Sequence, residues 1–397
     1  MEDDNNMDVT IRRFREGDKQ KVLQFLKTVS AGWRTIRQWS WKFEKVEEAV
    51  GRKATIWVVE DAGEIVGHLA FIPMKLRVGN EVFPVCQLVD GALSPKYRHG
   101  GVYAALVRTV LQNAEKEGNS ATFGFANRPS HRVYAKVGSL HTICTVTKMF
   151  RVFSLRNLMK TMRVHLMIDG SGSSGNDSLI RDLFPTLRKQ AVPTLLGLLG
   201  NVLASVVSGL SRNDYVEKSA FTIRAANIGD LTRFEGTWSR LSNSYRYAFE
   251  RDGNYLEWRY SNPEAEYKVY TADRAGDLVG YVVVACEEKS VNIDKIKFDG
   301  LKIGYVMDLV AEEEALVPLL MRAERALREQ GACLVTCWTT EDSPLHDLFR
   351  KMRYYRLPKE IRKITIIASV NASRLEATIS SKQTNDVLIA LGDADLV

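Results

Sequence analysis

The sequence predicts an α/β (α+β) chain of two related modules, each a mixed, mostly antiparallel sheet flanked by helices. Three observations carry this expectation. The chain has 397 residues, more than one ordinary hydrophobic core accommodates. A pattern of strand, turn, helix and hairpin laid down near residue 10 returns near residue 222. Between residues 88 and 116 a strand, a glycine-bearing loop and an amphipathic helix follow one another.

Thr10-Ile11-Arg12 followed by Gly17-Asp18 opens the first copy, and Thr222-Ile223-Arg224 followed by Gly229-Asp230 opens the second, with the same seven-residue step from Thr to Gly. Each opening reads as a strand, a turn, and a helix that begins near the Gly-Asp pair. An aromatic–cation–aromatic triplet follows in both, Trp41-Lys42-Phe43 and Trp258-Arg259-Tyr260. Core and surface packing is the use to expect of such a triplet. Hairpins come next: Thr55 to Glu60 with Glu64 to Phe71, and Tyr267 to Ala272 with Asp277 to Ala285. Their turns, Asp61-Ala62-Gly63 and Asp273-Arg274-Ala275-Gly276, carry the glycine that a short hairpin needs. Gly67 and Gly280 stand at the same place in the second strand of each hairpin.

The copies diverge after Leu93. Leu88 to Ser94 reads as a strand and Val102 to Lys116 as a helix, with apolar residues at 102, 106, 107, 110, 111 and 114. The loop between them, Pro95-Lys96-Tyr97-Arg98-His99-Gly100-Gly101, holds two adjacent glycines and an arginine. Free N–H groups at a helix N-terminus carry partial positive charge, and glycine lets an anion approach them closely. A pyrophosphate fits there. At the matching place the second copy reads Val310-Ala311-Glu312-Glu313-Glu314, whose three carboxylates repel one.

Composition bounds the function classes. With 45% apolar and 26% charged residues the chain is globular rather than disordered. A net charge of +7 suits an anionic ligand, and the dispersion of the basic residues gives nucleic-acid binding little support. The five cysteines (Cys86, Cys144, Cys286, Cys333, Cys337) read as buried small residues of a reducing cytoplasm, with Cys333 and Cys337 on one face of a strand. The six histidines form no His-x-x-x-His pattern, and no metal is expected. The acidic start Met1-Glu2-Asp3-Asp4 is no signal peptide. From Ala191 to Leu210 no residue is charged, which leaves a buried inter-domain helix, an interfacial helix or a membrane span open; Pro193, Asn201 and the hydroxyls favour the first. Gly170 to Gly175 reads as a flexible surface loop, Lys351 to Lys363, with six cations and one Glu360, as a solvated strand or turn, and Gln383 to Val397 as a peripheral strand and tail.

Downstream of the loop comes a strand, Phe123-Gly124-Phe125-Ala126, then Asn127, and later Tyr134 and Gly138. With Pro95 to Gly101, these residues make the sequence resemble the GNAT superfamily of acyl-CoA N-acyltransferases. The two triplets resemble those of tandem GNAT proteins with a degenerate second module. The resemblance covers residues 8 to 150 well and 219 to 370 more weakly, and implies an N-terminal GNAT domain (1–150), a connector (151–218) and a degenerate GNAT-like domain with its tail (219–397).

The resemblance further implies acetyl-CoA or another acyl-CoA as co-substrate, and a small primary amine, an amino sugar among the candidates, as acceptor. Leu93 would polarise the thioester through its N–H, and Arg98, His99, Gly100, Gly101, Val102 and Tyr103 would hold the pyrophosphate, with Asn127 completing the cofactor site. Tyr103 stands where the family has Gly or Ala. Tyr134 is the family's general acid to the departing thiolate, with a core tyrosine as the alternative. For the base, Asp90 is the best-placed carboxylate, through a pKa raised by burial, or else a hydrogen-bonded structural residue; Glu60 is a weaker candidate. Two other classes remain: a catalytically silent CoA-binding scaffold, and an aminoacyl transferase of the FemAB kind, which expects a degraded loop in both copies. The location expected is cytoplasmic, with peripheral membrane contact as the lesser alternative.

Overall fold

The computed structural model describes residues 9–29, 35–98, 100–126, 128–137, 140–164, 221–293, 296–341, 343–357, 364–371 and 387–394. The first series of elements is β1 (Thr10–Arg13), α1 (Lys19–Val29), α2 (Ile36–Trp39), α3 (Val46–Val50), β2 (Thr55–Asp61), β3 (Glu64–Val78), β4 (Glu81–Leu93), α4 (Val102–Lys116), β5 (Ala121–Ala126), α5 (Arg128–Val137) and β6 (His141–Val152). Two short elements follow, α6 (Leu155–Thr161) and β7 (Met162–Val164). The second series is β8 (Thr222–Ala226), α7 (Glu235–Leu241), β9 (Tyr247–Phe249), α8 (Gly253–Arg259), β10 (Tyr267–Arg274), β11 (Asp277–Ile293), β12 (Ile296–Ala311), α9 (Glu313–Glu329), β13 (Leu334–Thr340), α10 (Pro344–Lys351), β14 (Tyr355–Arg356), β15 (Ile364–Val370) and β16 (Val387–Leu388). The mixed α/β class read from the sequence is the class observed.

The repetition extends to register. Thr10 faces Glu60 as Thr222 faces Asp273. A bulge between Val59 and Glu60 has its counterpart between Ala272 and Asp273. Arg12 on β1 donates to Glu60 and to Asp18 (2.6 Å), and Arg224 on β8 donates to Asp273 (3.1 Å). Both hairpins close through two residues with positive φ, Ala62-Gly63 and Ala275-Gly276, a turn whose twist matches that of the strands it joins.

The two halves share one continuous sheet, in the order β1-β2-β3-β4-β5-β15-β6-β13-β12-β11-β10-β8. Read from either edge, the series of counterparts is the same, because the sixth strands cross over. β15 of the C-terminal half pairs with β5, and β6 of the N-terminal half pairs with β13. β6 is also pinned across the halves by Arg151, whose guanidinium donates to both carboxylate oxygens of buried Glu324 on α9 at 2.8 Å. The boundary expected near residue 150 therefore falls in a region where the halves are interwoven. Hydrogen bonding between strands depends on backbone, not side chains, so nothing in the composition of β6 or β15 announces which neighbour it takes.

On one face of the N-terminal half, α4 and α5 cover Trp57, Val59, Leu69, Phe71 and Leu88. Alternate residues Ile56, Val58, Ala70, Ile72 and Met74 face the other way and join a core that continues into the C-terminal half. Among the described residues no helix is long and apolar enough to cross a membrane. The stretches 170–175 and 191–210 lie outside the described residues, as do residues 358–363 of the basic segment.

Two expectations are corrected. Residues 387–394 are buried throughout, not a peripheral tail. β16 pairs with β9, Thr340 Oγ1 donates to the Val387 carbonyl at 3.0 Å, and Asp393 forms an ion pair with buried Arg251 at 3.0 Å. Cys333 and Cys337 do not share a strand face: β13 begins at Leu334, and Cys333 packs with Leu301 and Ile303 while Cys337 joins the main core. Burial pushes the Cys86 thiol up to about 12, which leaves it unreactive at neutral pH.

Candidate functional site

β4 and β5 run parallel and in register over three pairs, Val85–Ala121, Cys86–Thr122 and Gln87–Phe123, and then part. The gap so opened lies between Leu88–Leu93 and Gly124–Ala126. On its other side β4 stays bonded to β3. There Ser94 N–H donates to Val66 O at 2.8 Å. Backbone groups of consecutive strand residues point to opposite sides, so the N–H and C=O of Leu93 face the gap. The Leu93 carbonyl indeed accepts from Arg98 Nε at 3.2 Å.

Near its end β4 bulges. His68 faces Ala92 and Ala70 faces Val89, so Asp90 and Gly91 together oppose Leu69. Asp90 takes φ +53°, and the other described non-glycine residues with positive φ, Ala62, Ala275 and Arg353, all lie in turns. Gly91 accommodates a close approach: a Cβ there would stand 2.1 Å from the Tyr103 hydroxyl. Tyr103, on the first turn of α4, reaches back over the bulge, and its hydroxyl lies 3.5 Å from that of Tyr134 on α5. Both phenols are held protonated, their pKa values raised chiefly by burial.

The loop before α4 ends in Gly100 and Gly101, with φ of +78° and +77°, a conformation in which L side chains are strained. Gly101 caps the helix, and the space a Cβ would fill is open. The first helical bond runs from Ala105 N–H to Gly101 O, so the N–H groups of Val102, Tyr103 and Ala104 have no acceptor within the helix. A pyrophosphate fits such a mouth. His99 and Asn127 lie outside the described residues.

Neither carboxylate weighed as a base stands available. Asp90 has Lys42 Nζ 2.8 Å from its carboxylate, both side chains almost wholly out of solvent. An ammonium in that position commits the carboxylate to an ion pair, which burial alone does not reveal; the structural alternative is the one the geometry supports. Glu60 is taken by Arg12. The sequence marks Lys42 only as the cation of the Trp41-Lys42-Phe43 triplet, and gives no sign of His68, whose ring Nδ1 lies 2.8 Å from the Asp90 carbonyl. The glycine after Asp90 within a strand was the signal that a bulge stands there.

Residues 10–139 match the family described as the acetyltransferase (GNAT) domain. The match lies wholly within the N-terminal half. The fold of the longer chain is similar to that of a GCN5-related N-acetyltransferase from Anabaena variabilis, with a TM-score of 0.56 at 11% identity over 91% of this chain and 73% of that one. It is similar to a GCN5-related N-acetyltransferase from Kribbella flavida, with a TM-score of 0.53 at 15% identity over 92% and 72%. A conserved protein from Enterococcus faecalis V583, described as a probable N-acyltransferase, gives 0.54 at 9% identity over 92% and 73%. At such identities the likeness is one of fold. No curated protein matches the sequence.

The C-terminal half differs from the N-terminal half at the matching place. β12 and β13 also part after three pairs, ending at Tyr305–Thr336, and Glu312 N–H donates to Val279 O as Ser94 does to Val66. Yet α9 starts two residues after β12 ends, with no loop between. Its first turn carries Glu313 and Glu314, and Arg274 pairs with Glu312 at 2.9 Å. Residues 387–394 pack against the gap: a Cβ on Gly392 would meet the Met307 carbonyl at 3.0 Å, and Arg251 bridges Asp308 of β12 to Asp393.

Proposed function

We propose that the GNAT domain is an acyl-CoA-dependent N-acyltransferase, with acetyl-CoA the simplest donor and a small primary amine as acceptor. The observation that carries this reading is the coincidence of three features at one end of β4. The strands part, the Leu93 N–H faces the gap, and the Gly100-Gly101 loop presents the N-terminus of α4 beside it.

In this reading the pyrophosphate lies on the N–H groups of Val102 to Ala104, with Arg98, Gly100, Gly101 and Tyr103 around it, and His99 and Asn127 are further cofactor-binding residues. The thioester enters the gap. The amine nitrogen attacks the carbonyl carbon, and the Leu93 N–H stabilises the oxyanion that forms. As the C–S bond breaks, Tyr134 donates its proton to the leaving thiolate and regains one released by the amine. A phenol whose pKa is raised by burial is a weak acid. Its contribution is therefore a hydrogen bond to the developing thiolate, with proton transfer completed as the charge grows. With Asp90 and Glu60 in ion pairs, the ammonium's first proton leaves to water.

The division of labour proposed is one site per chain, in residues 1–150. The C-terminal module (219–397), joined through 151–218, is without chemistry of its own. An intact loop in the N-terminal half disfavours an aminoacyl-tRNA donor. We place the protein in the cytoplasm. Thiol release from acetyl-CoA across a panel of primary amines, amino sugars included, tests the reading. Turnover by the wild type that falls about a hundredfold in Tyr134→Phe supports it, and no release with any amine together with no binding of acetyl-CoA overturns it.

A further inference from the structure

The Trp41-Lys42-Phe43 triplet lies on a π-helical turn, Ser40–Glu44, closed by Lys45 N–H donating to Ser40 O. Such turns recur at functional sites because the extra residue re-aims side chains. Here the turn sends Lys42 inward to Asp90, at 2.8 Å, and its ammonium also lies 5.3 Å from the Phe43 ring. The Asp90 carbonyl meets the His68 ring at 2.8 Å, so Nδ1 is the donor. Asp90 is thus gripped through its side chain and its backbone at the one described non-glycine strand residue with left-handed φ. A non-glycine residue in that conformation costs about 1 kcal/mol and persists only where its surroundings impose it.

The counterpart in the C-terminal half shows what the grip is for. Asp308 occupies the same place, three residues before the end of β12 as Asp90 is before the end of β4, and it too meets a buried cation, Arg251. But Asp308 has no positive φ, the extra residue there is Met307, and that gap holds the chain's own C-terminal segment. The left-handed bulge accompanies the half with the open gap and the glycine loop.

The C-terminal half holds the turn that carries Lys42. Trp41, the residue before it, donates through its indole to the Trp258 carbonyl at 2.6 Å, and Trp258 donates back to the Trp41 carbonyl at 2.8 Å. We propose that Lys42 and Trp258 are positioning residues for acyl transfer: Trp258 fixes the π-helical turn, Lys42 fixes the Asp90–Gly91 bulge, and the bulge sets the direction of the Leu93 N–H. The second module thereby acts on the chemistry of the first without touching substrate. This rests on the acyltransferase reading above.

The test is steady-state kinetics of Trp258→Phe and Lys42→Met beside calorimetric binding of acetyl-CoA. Trp258→Phe keeps an aromatic ring against Trp41 and removes the indole donor, so it is the variant that decides if Lys42→Met fails to fold. The expected result is a fall in kcat of about tenfold or more with the KM and Kd for acetyl-CoA within twofold of wild type, since the pyrophosphate loop is untouched. A kcat unchanged in folded Trp258→Phe overturns the inference, as does a loss expressed only in KM. Those outcomes leave the acyltransferase reading standing. A wild type that neither binds acetyl-CoA nor releases thiol overturns that reading, and the inference with it.

Discussion

Trp41 and Trp258, 217 residues apart, stack with ring centroids 5.7 Å apart, and each donates its indole hydrogen to the other's backbone carbonyl. The relationship is reciprocal, as expected of counterparts on a pseudo-two-fold axis. It joins the α8 end of one half to the π-helical turn of the other. Replacing either indole by Phe removes one buried hydrogen bond between the halves, a loss of about 0.5–1.5 kcal/mol. The two substitutions lie in one contact and should be non-additive. Chemical denaturation of Trp41→Phe, Trp258→Phe and the double variant measures the coupling.

Arg251 is buried between Asp308 and Asp393, at 3.0 Å from each. Removing one partner of such a cluster leaves uncompensated charge in the interior, at a typical cost of about 3–5 kcal/mol. Arg251→Met is expected to fall in that range in urea denaturation. A chain ending at Asp386 should lose a comparable amount, because Arg251 and Arg259 both meet residues 392–394.

Gly91 and Tyr103 should also be coupled. A Cβ at residue 91 would stand 2.1 Å from the Tyr103 hydroxyl but 3.3 Å from its ring carbon Cζ. Gly91→Ala alone overpacks the site, at about 1–3 kcal/mol. Tyr103→Phe removes the clashing atom, so the double variant should recover part of that loss. Thermal unfolding of the single and double variants reads it.

His346 makes stability depend on pH. Its Nε2 lies 2.9 Å from an Arg356 nitrogen, which can only donate, so Nε2 accepts and the proton sits on Nδ1. Burial first, and then the Arg356 charge, lower its pKa below the usual 6.5. As pH falls below 6.5 the unfolded chain takes up a proton that the folded chain refuses, so stability is lost in that direction. His346→Gln should lack this component. The difference in unfolding free energy between wild type and variant, followed from pH 7.5 to 5, should change in the variant's favour.

Much of the fold is legible in the sequence because the repeat is written in residues that turns and strand starts demand: Thr10 and Thr222, Gly17 and Gly229, Ala62-Gly63 and Ala275-Gly276. The mouth of the candidate site is legible for the same reason, since Gly100 and Gly101 both take positive φ. What was not legible depends on partners distant in sequence. Lys42 reads as the cation of a packing triplet until Asp90 is brought beside it. Asp393 reads as part of a polar tail until Arg251 receives it. The exchange of β6 and β15 leaves no local trace, because either strand suits either neighbour.

The central claim is one acyl-CoA site per chain, at the mouth of α4. Calorimetric titration of acetyl-CoA into the wild type and an Arg98→Glu, Gly101→Glu variant tests it most directly. Saturable binding at one equivalent per chain, lost in the folded variant, is the predicted result. Two equivalents per chain, binding unchanged in the variant, or no binding by the folded wild type would contradict the account.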